Sequence, residues 1–174
     1  NDHVNCGQSS NDTFPTAMHI SGVLQIEREL LPVLNRMISI LETLEEDYQD
    51  TVKLGRTHLQ DATPITFGPD ISGWKRMIQE TLSMLELSLK PLIVLPLGGT
   101  AVGTGLNSHP EFGSMATEFI SNWTGTSFQE SDNKFHGLAS KDAVVFAHGA
   151  LNTLAVNSMK IANDIRWLAS GPRG

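Results

Sequence analysis

An all-α domain is the fold class this sequence predicts, on three observations. Apolar residues recur at helical spacing over long stretches, strand-type alternation is scarce, and no residue between Ala143 and Met159 carries a formal charge. The first long helix is expected to begin between Thr13 and Pro15, with Asn11 or Asp12 as its cap, because a proline is tolerated in the first turn where its missing N–H has no partner to lose. Leu30, Leu34, Met37, Leu41 and Leu44 then hold a helical stripe through Glu45. Pro32 interrupts that run, and a kink there is preferred over a break. Ile71, Trp74, Ile78, Leu85 and Leu92 mark a second helix that ends near Pro96. A glycine-rich loop follows, then a short helix over residues 110–123, with Thr124-Gly125-Thr126 as a turn.

The last helix is expected over residues 138–169. Its uncharged stretch has the length of a membrane span, yet His148, Gly149, Asn152, Thr153, Asn157 and Ser158 lie within it, and lipid burial of so many polar groups is costly. A helix enclosed by other helices explains the pattern better. Ala143, Ala147, Gly149, Ala150, Ala155, Ser158 and Ala162 would permit close approach, and a chain with so few helices needs further copies to supply the neighbours.

The chain has 174 residues, of which 40% are hydrophobic, enough for one sizeable core or part of a larger one, so residues 1–174 read as one helical domain. A formal net charge of −7 disfavours a nucleic-acid backbone or an anionic membrane surface as partner. The single cysteine, Cys6, excludes an internal disulfide and is expected to be a small packed residue; with no leader-like opening, the reading is a reducing, cytoplasmic compartment. The start at Asn1 and the loop-like Gly171-Pro172-Arg173-Gly174 suggest a piece of a longer protein.

Three segments carry candidate chemistry. Ser9-Ser10-Asn11-Asp12 combines capping residues with short donors beside the positive end of a helix, a setting for a carboxylate or phosphate. In Gly55-Arg56-Thr57-His58, a glycine-led loop brings an imidazole that titrates near neutrality toward a ligand, while Arg56 is as well suited to an ion pair with Asp61 as to a substrate carboxylate. Residues 98–107 hold Gly98, Gly99, Gly103 and Gly105 but lack the Gly-Lys-Ser/Thr of a nucleotide loop, so close backbone packing is the expectation. Six histidines without an i, i+4 pair and one cysteine make no zinc site, and Lys134 reads as a solvated loop lysine.

In this order, Asn1-Asp2-His3-Val4-Asn5, Gln8-Ser9-Ser10-Asn11-Asp12-Thr13-Phe14-Pro15-Thr16-Ala17, the 55–62 and 98–107 segments, and Lys160-Ile161-Ala162-Asn163-Asp164-Ile165-Arg166 closely resemble the class II fumarate hydratases of the fumarase/aspartase superfamily. The resemblance covers essentially the whole chain. It implies reversible hydration of fumarate to L-malate in the tricarboxylic acid cycle, with no metal and no organic cofactor. By the same resemblance Ser9, Ser10, Asn11 and Thr57 look like substrate-carboxylate ligands, His58 like the residue handling a proton or the attacking water, and Asn1 and Asp2 like part of a second dicarboxylate site.

The implied architecture is a bundle of long helices, the central domain of that superfamily, joined as a homotetramer whose helices make a multi-subunit core. The compartment implied is cytoplasmic, or mitochondrial for a eukaryotic parent. Family members also carry an upstream Ser/Thr segment and a downstream Gly-Ser-Ser-x-Met-Pro-Gly-Lys-x-Asn loop followed by a Glu, so the isolated chain is expected to be inactive. The runner-up is aspartate ammonia-lyase, which tends to show Ser-Thr-Asn-Asp and Thr-Gln where this chain has Ser9-Ser10-Asn11-Asp12 and Thr57-His58. A non-catalytic assembly domain is the alternative from another class. Pro69 and His136 depart from the Gln and Glu usual at those places.

Overall fold

A computed structural model describes residues 3–171, and among them helix dominates. The helices are α1 (Ser10–Gln25), α2 (Leu31–Asp47), α3 (Phe67–Leu92), α4 (Phe112–Thr124), α5 (Lys134–Ala139) and α6 (Asp142–Leu168). The strands are short: β1 (Val52–Thr57) and β2 (Gln60–Thr66) pair antiparallel, and β3 (Val94–Leu95) lies parallel to β4 (Gln129–Glu130). The all-α class holds, and these strands are an addition to it. No helix among the described residues is long and apolar enough to cross a membrane.

The chain divides into two compact units, each with its own core. Residues 1–29 and 85–149 form the first. Here Val23, Ile26, Leu85, Leu89, Leu92, Leu95, Leu97 and Phe128 are buried, with Ala143 and Ala147 as the close-approach face of α6. Residues 30–84 and 150–174 form the second, where Leu34, Leu41, Ile71, Trp74, Ile78 and Ile161 are buried. Its helices are tied by polar bonds as well: the Trp74 indole donates to Asp164 at 2.9 Å, and the Asn157 amide donates to the Thr81 hydroxyl at 2.8 Å. Lys75 meets Glu45 at 2.6 Å, a hydrogen bond that holds the Lys75 ammonium above its ordinary pKa.

Several boundaries differ from the sequence expectation, each for a local reason. Helix α1 starts at Ser10, three residues early, because Ser9 rather than Asn11 or Asp12 is its cap. The Ser9 hydroxyl accepts from the Asn11 N–H at 3.2 Å, and the Asp12 carboxylate returns a bond to the Ser9 N–H at 2.9 Å, a reciprocal capping box. Pro15 therefore falls inside the helix, where it has no N–H to offer the Asn11 carbonyl. The expected kink at Pro32 is resolved differently: a single π turn, Ile26–Leu30, precedes it and Pro32 sits in the first turn of α2, where a missing N–H is harmless.

The last helix is α6, which starts at Asp142, four residues after the expected start, because Ser140 is extended at the end of the short helix α5. There His136 and Asp142 lie 2.9 Å apart, and that hydrogen bond holds the Asp142 carboxyl below its ordinary value. Lys134 is not a solvated loop lysine: it begins α5, is largely buried, and donates to the Leu97 carbonyl at 2.7 Å and to Glu130 at 2.9 Å. Nor is Cys6 packed, since it is exposed. His19 is buried in α1, with Nδ1 2.9 Å from the Val94 carbonyl oxygen, and burial lowers its pKa below the ordinary value.

Candidate active site

The start of α1 gathers the first group of sequence-predicted residues. Ser9 is half-buried at the cap, while Ser10 and Asn11 are exposed in the first turn. The Ser10 hydroxyl has no hydrogen-bond partner among the described residues, so a donor stands ready at a positive helix end. Asn11 is half-engaged, its amide nitrogen donating to the Ala101 carbonyl at 2.7 Å. That contact places residues 98–105 against the helix start, a juxtaposition the sequence reading did not anticipate.

Asp12 makes the juxtaposition. It is fully buried, with one carboxylate oxygen on the Ser9 N–H and the other accepting from Gly98 N at 3.1 Å and Thr100 N at 2.9 Å. Three backbone donors supply the polar satisfaction that a buried carboxylate requires. The loop they hold is strained. Thr100 is buried at φ +56, a left-handed conformation costly for a β-branched residue, by about 1–3 kcal/mol. Its hydroxyl, also buried, has no partner among the described residues.

The glycines of the same loop are there for closeness, as the sequence reading expected. A Cβ on Gly99 would stand 2.8 Å from Leu138, and one on Gly103 would stand 2.8 Å from the Phe135 ring. The signal for this arrangement was present in the glycine spacing, but nothing local tied it to Asp12, whose partners lie 86 and 88 residues away.

Thr57 and His58 belong to the second unit, so their geometry is given separately. The glycine-led loop expected over residues 55–62 is a β-hairpin. Thr57 and Gln60 are the last pair of the ladder, and His58 and Leu59 are the two turn residues, at φ +54 and φ +59. Positive φ at both central positions is the hairpin turn whose twist matches its strands, normally built from Asn-Gly. Here a histidine and a leucine occupy it.

A left-handed backbone at both turn residues is strained and persists only where its surroundings hold it. Thr57 and His58 are both exposed, and neither side chain has a hydrogen-bond partner among the described residues. A register shift between Gly55 and Arg56 re-aims the strand end, and Gly55 is required there because a Cβ would stand 2.8 Å from the Thr63 carbonyl oxygen. Arg56 pairs with Asp61 across the hairpin at 3.3 Å, the structural alternative weighed for it. Asn1 and Asp2, assigned by resemblance to a second dicarboxylate site, lie outside the described residues.

The exposed donors at the start of α1 suit a carboxylate held by hydrogen bonds from hydroxyl, amide and backbone N–H, and the exposed His58 imidazole can donate or accept a proton. Comparison with known proteins bears on what such groups serve. A protein-family profile described as Lyase matches residues 1–174. Class II fumarate hydratases from Bacillus subtilis and Halalkalibacterium halodurans are 54% and 55% identical over 99% and 100% of this chain, which spans 37% and 38% of their lengths.

Among solved structures, class II fumarase from Schistosoma mansoni superposes with a TM-score of 0.95 at 37% identity, covering 99% of this chain and 39% of that one. A fumarate lyase:delta crystallin protein from Brucella melitensis gives 0.93 at 34% identity, over 100% of this chain and 38% of that one. The chain thus spans less than two fifths of the relatives it matches. By the match along its whole length and by its fold, this chain belongs to the lyase family, alongside the class II fumarate hydratases.

Proposed function

We propose that this chain is the central helical segment of a fumarate hydratase, which adds water reversibly across fumarate to give L-malate. The observation that carries the reading is the 54% identity to a class II fumarate hydratase along 99% of this chain, which holds both a helix start with exposed donors at Ser10 and Asn11 and, in its other unit, an exposed histidine in a strained turn. In the malate-to-fumarate direction a proton beside a carboxylate must be removed, which builds a second negative charge on that carboxylate. Fixed donors stabilise that charge, and a positioned acid–base side chain moves the proton or the water. Ser9, Ser10, Asn11 and Thr57 are the proposed carboxylate donors and His58 the proposed proton-handling group; Asn1 and Asp2 belong to the proposed second dicarboxylate site. No metal or organic cofactor enters this scheme, and a cytoplasmic setting suits a chain with one cysteine.

The experiment is a paired assay of the full-length protein with L-malate and with L-aspartate. Turnover between malate and fumarate is the expected result, whereas ammonia release from aspartate without malate turnover would assign the chain to the aspartate ammonia-lyases instead.

Four copies are proposed to associate through their long helices. Support comes from α6, where Val145, Phe146, Val156 and Met159 remain 47–68% exposed in a stretch without a formal charge. Such a surface is stable only when covered. Sedimentation of the full-length protein should give a tetramer; a well-folded monomer at high concentration would refute the assembly while leaving the reaction untouched.

A further inference from the structure

We infer that Asp12 is a positioning residue for dicarboxylate binding: it locks the start of α1 to the strained turn at Thr100, so that Ser9, Ser10 and Asn11 meet the substrate in one fixed arrangement. The inference rests on the reading of that helix start as a carboxylate site. Asp12 is fully buried, so it touches no ligand itself and acts through its neighbours.

The bonding requires a carboxylate. One oxygen accepts from Ser9 N, and the other accepts from both Gly98 N and Thr100 N. An asparagine offers one oxygen, and its NH2 group would face backbone donors with nothing to accept its protons. Asn11, the residue before it, completes the joint by donating to the Ala101 carbonyl. Without the clamp, Thr100 has every reason to leave φ +56, where its branched side chain is strained and its hydroxyl unpartnered. The loop would withdraw and the donor amide of Asn11 with it.

Charge makes the inference sharp, because the two roles open to Asp12 predict opposite signs. A buried negative charge beside a site for a dianion repels the ligand, so on electrostatic grounds alone Asp12→Asn should tighten binding. If the carboxylate is there for geometry, the same substitution weakens binding. The donors at this helix start are assigned to the carboxylate that gains no charge in the reaction, so they hold ground state and transition state alike and the loss falls on KM more than on kcat.

The test is steady-state hydration of fumarate by the full-length protein and its Asp12→Asn variant, with helix content and assembly measured alongside. The expected result is a KM raised about tenfold with kcat within about threefold of wild type, and a KM lowered again when Thr100→Gly is added, since glycine occupies a left-handed φ freely. An unchanged or lowered KM overturns the inference, as does a loss confined to kcat. Should Asp12→Asn fail to fold, the double variant is compared with Thr100→Gly alone: a KM above that of the single variant in a folded protein supports positioning, an equal or lower KM overturns it, and failure of the double variant to fold reduces Asp12 to a structural residue. A wild type inactive on fumarate and malate removes the underlying reading as well, which separates that failure from failure of the inference alone.

Discussion

Replacing His58 with asparagine is expected to lower fumarate hydration by the full-length protein by roughly two to four orders of magnitude, the usual contribution of a positioned acid–base group, while helix content and assembly stay as in the wild type. The substitution is unusually clean here. His58 sits at φ +54 in the first central position of a two-residue hairpin turn, and asparagine is among the residues that accept that conformation most readily. The variant therefore keeps or eases the hairpin and removes only the titratable ring. The imidazole has no partner among the described residues, so no structural bond is lost with it. Turnover measured with malate at saturation, together with circular dichroism, checks the prediction. Unchanged turnover would make His58 a turn residue and nothing more.

Gly98→Ala is expected to cost about 2–6 kcal/mol of stability, the sum of a left-handed backbone penalty and an overpacking penalty. Gly98 lies at φ +92, and a Cβ there would stand 2.8 Å from the Gly113 Cα and 3.1 Å from the Gly113 backbone nitrogen. Backbone cannot rotate away as the end of a side chain can, so the loop itself must move. Its N–H is one of the three donors to Asp12, so the movement also loosens the start of α1. The urea midpoint should fall accordingly. A midpoint within error of wild type would show that residues 98–105 are free to rearrange, and would undercut the fixed helix start on which the carboxylate reading depends.

These two residues illustrate what was legible in the chain and what was not. Helix α3 was readable because Ile71, Trp74, Ile78, Leu85 and Leu92 keep one face, and that face is the buried one. The capping character of Ser9-Ser10-Asn11-Asp12 was readable too, since capping chemistry is local. Which of the four caps was not, because Ser9 becomes the cap only when Asp12 can reach back to the Ser9 N–H, and Asp12 is held by donors from the 98–100 turn.

The hairpin over residues 52–66 escaped notice for a related reason. Its strands lie largely exposed, so apolar alternation is weak, and its turn carries His-Leu in place of the Asn-Gly signal. The later start of the last helix was hidden by an apolar period that runs across Ser140, while the boundary is set by the extended Ser140, whose hydroxyl accepts from the Asp142 N–H at 3.2 Å.

By itself, then, the sequence determined the helical class, the long apolar faces, the order of the three motif segments and the family they resemble, because each depends on residues near one another in the chain. Only the tertiary structure decided that Asp12 binds a loop 86 residues away, that Thr100 is held in a left-handed turn, and that His58 stands at the tip of a strained hairpin. Those features arise from backbone donors, close approaches and positive φ angles that distant segments impose, and no local pattern of side chains encodes them.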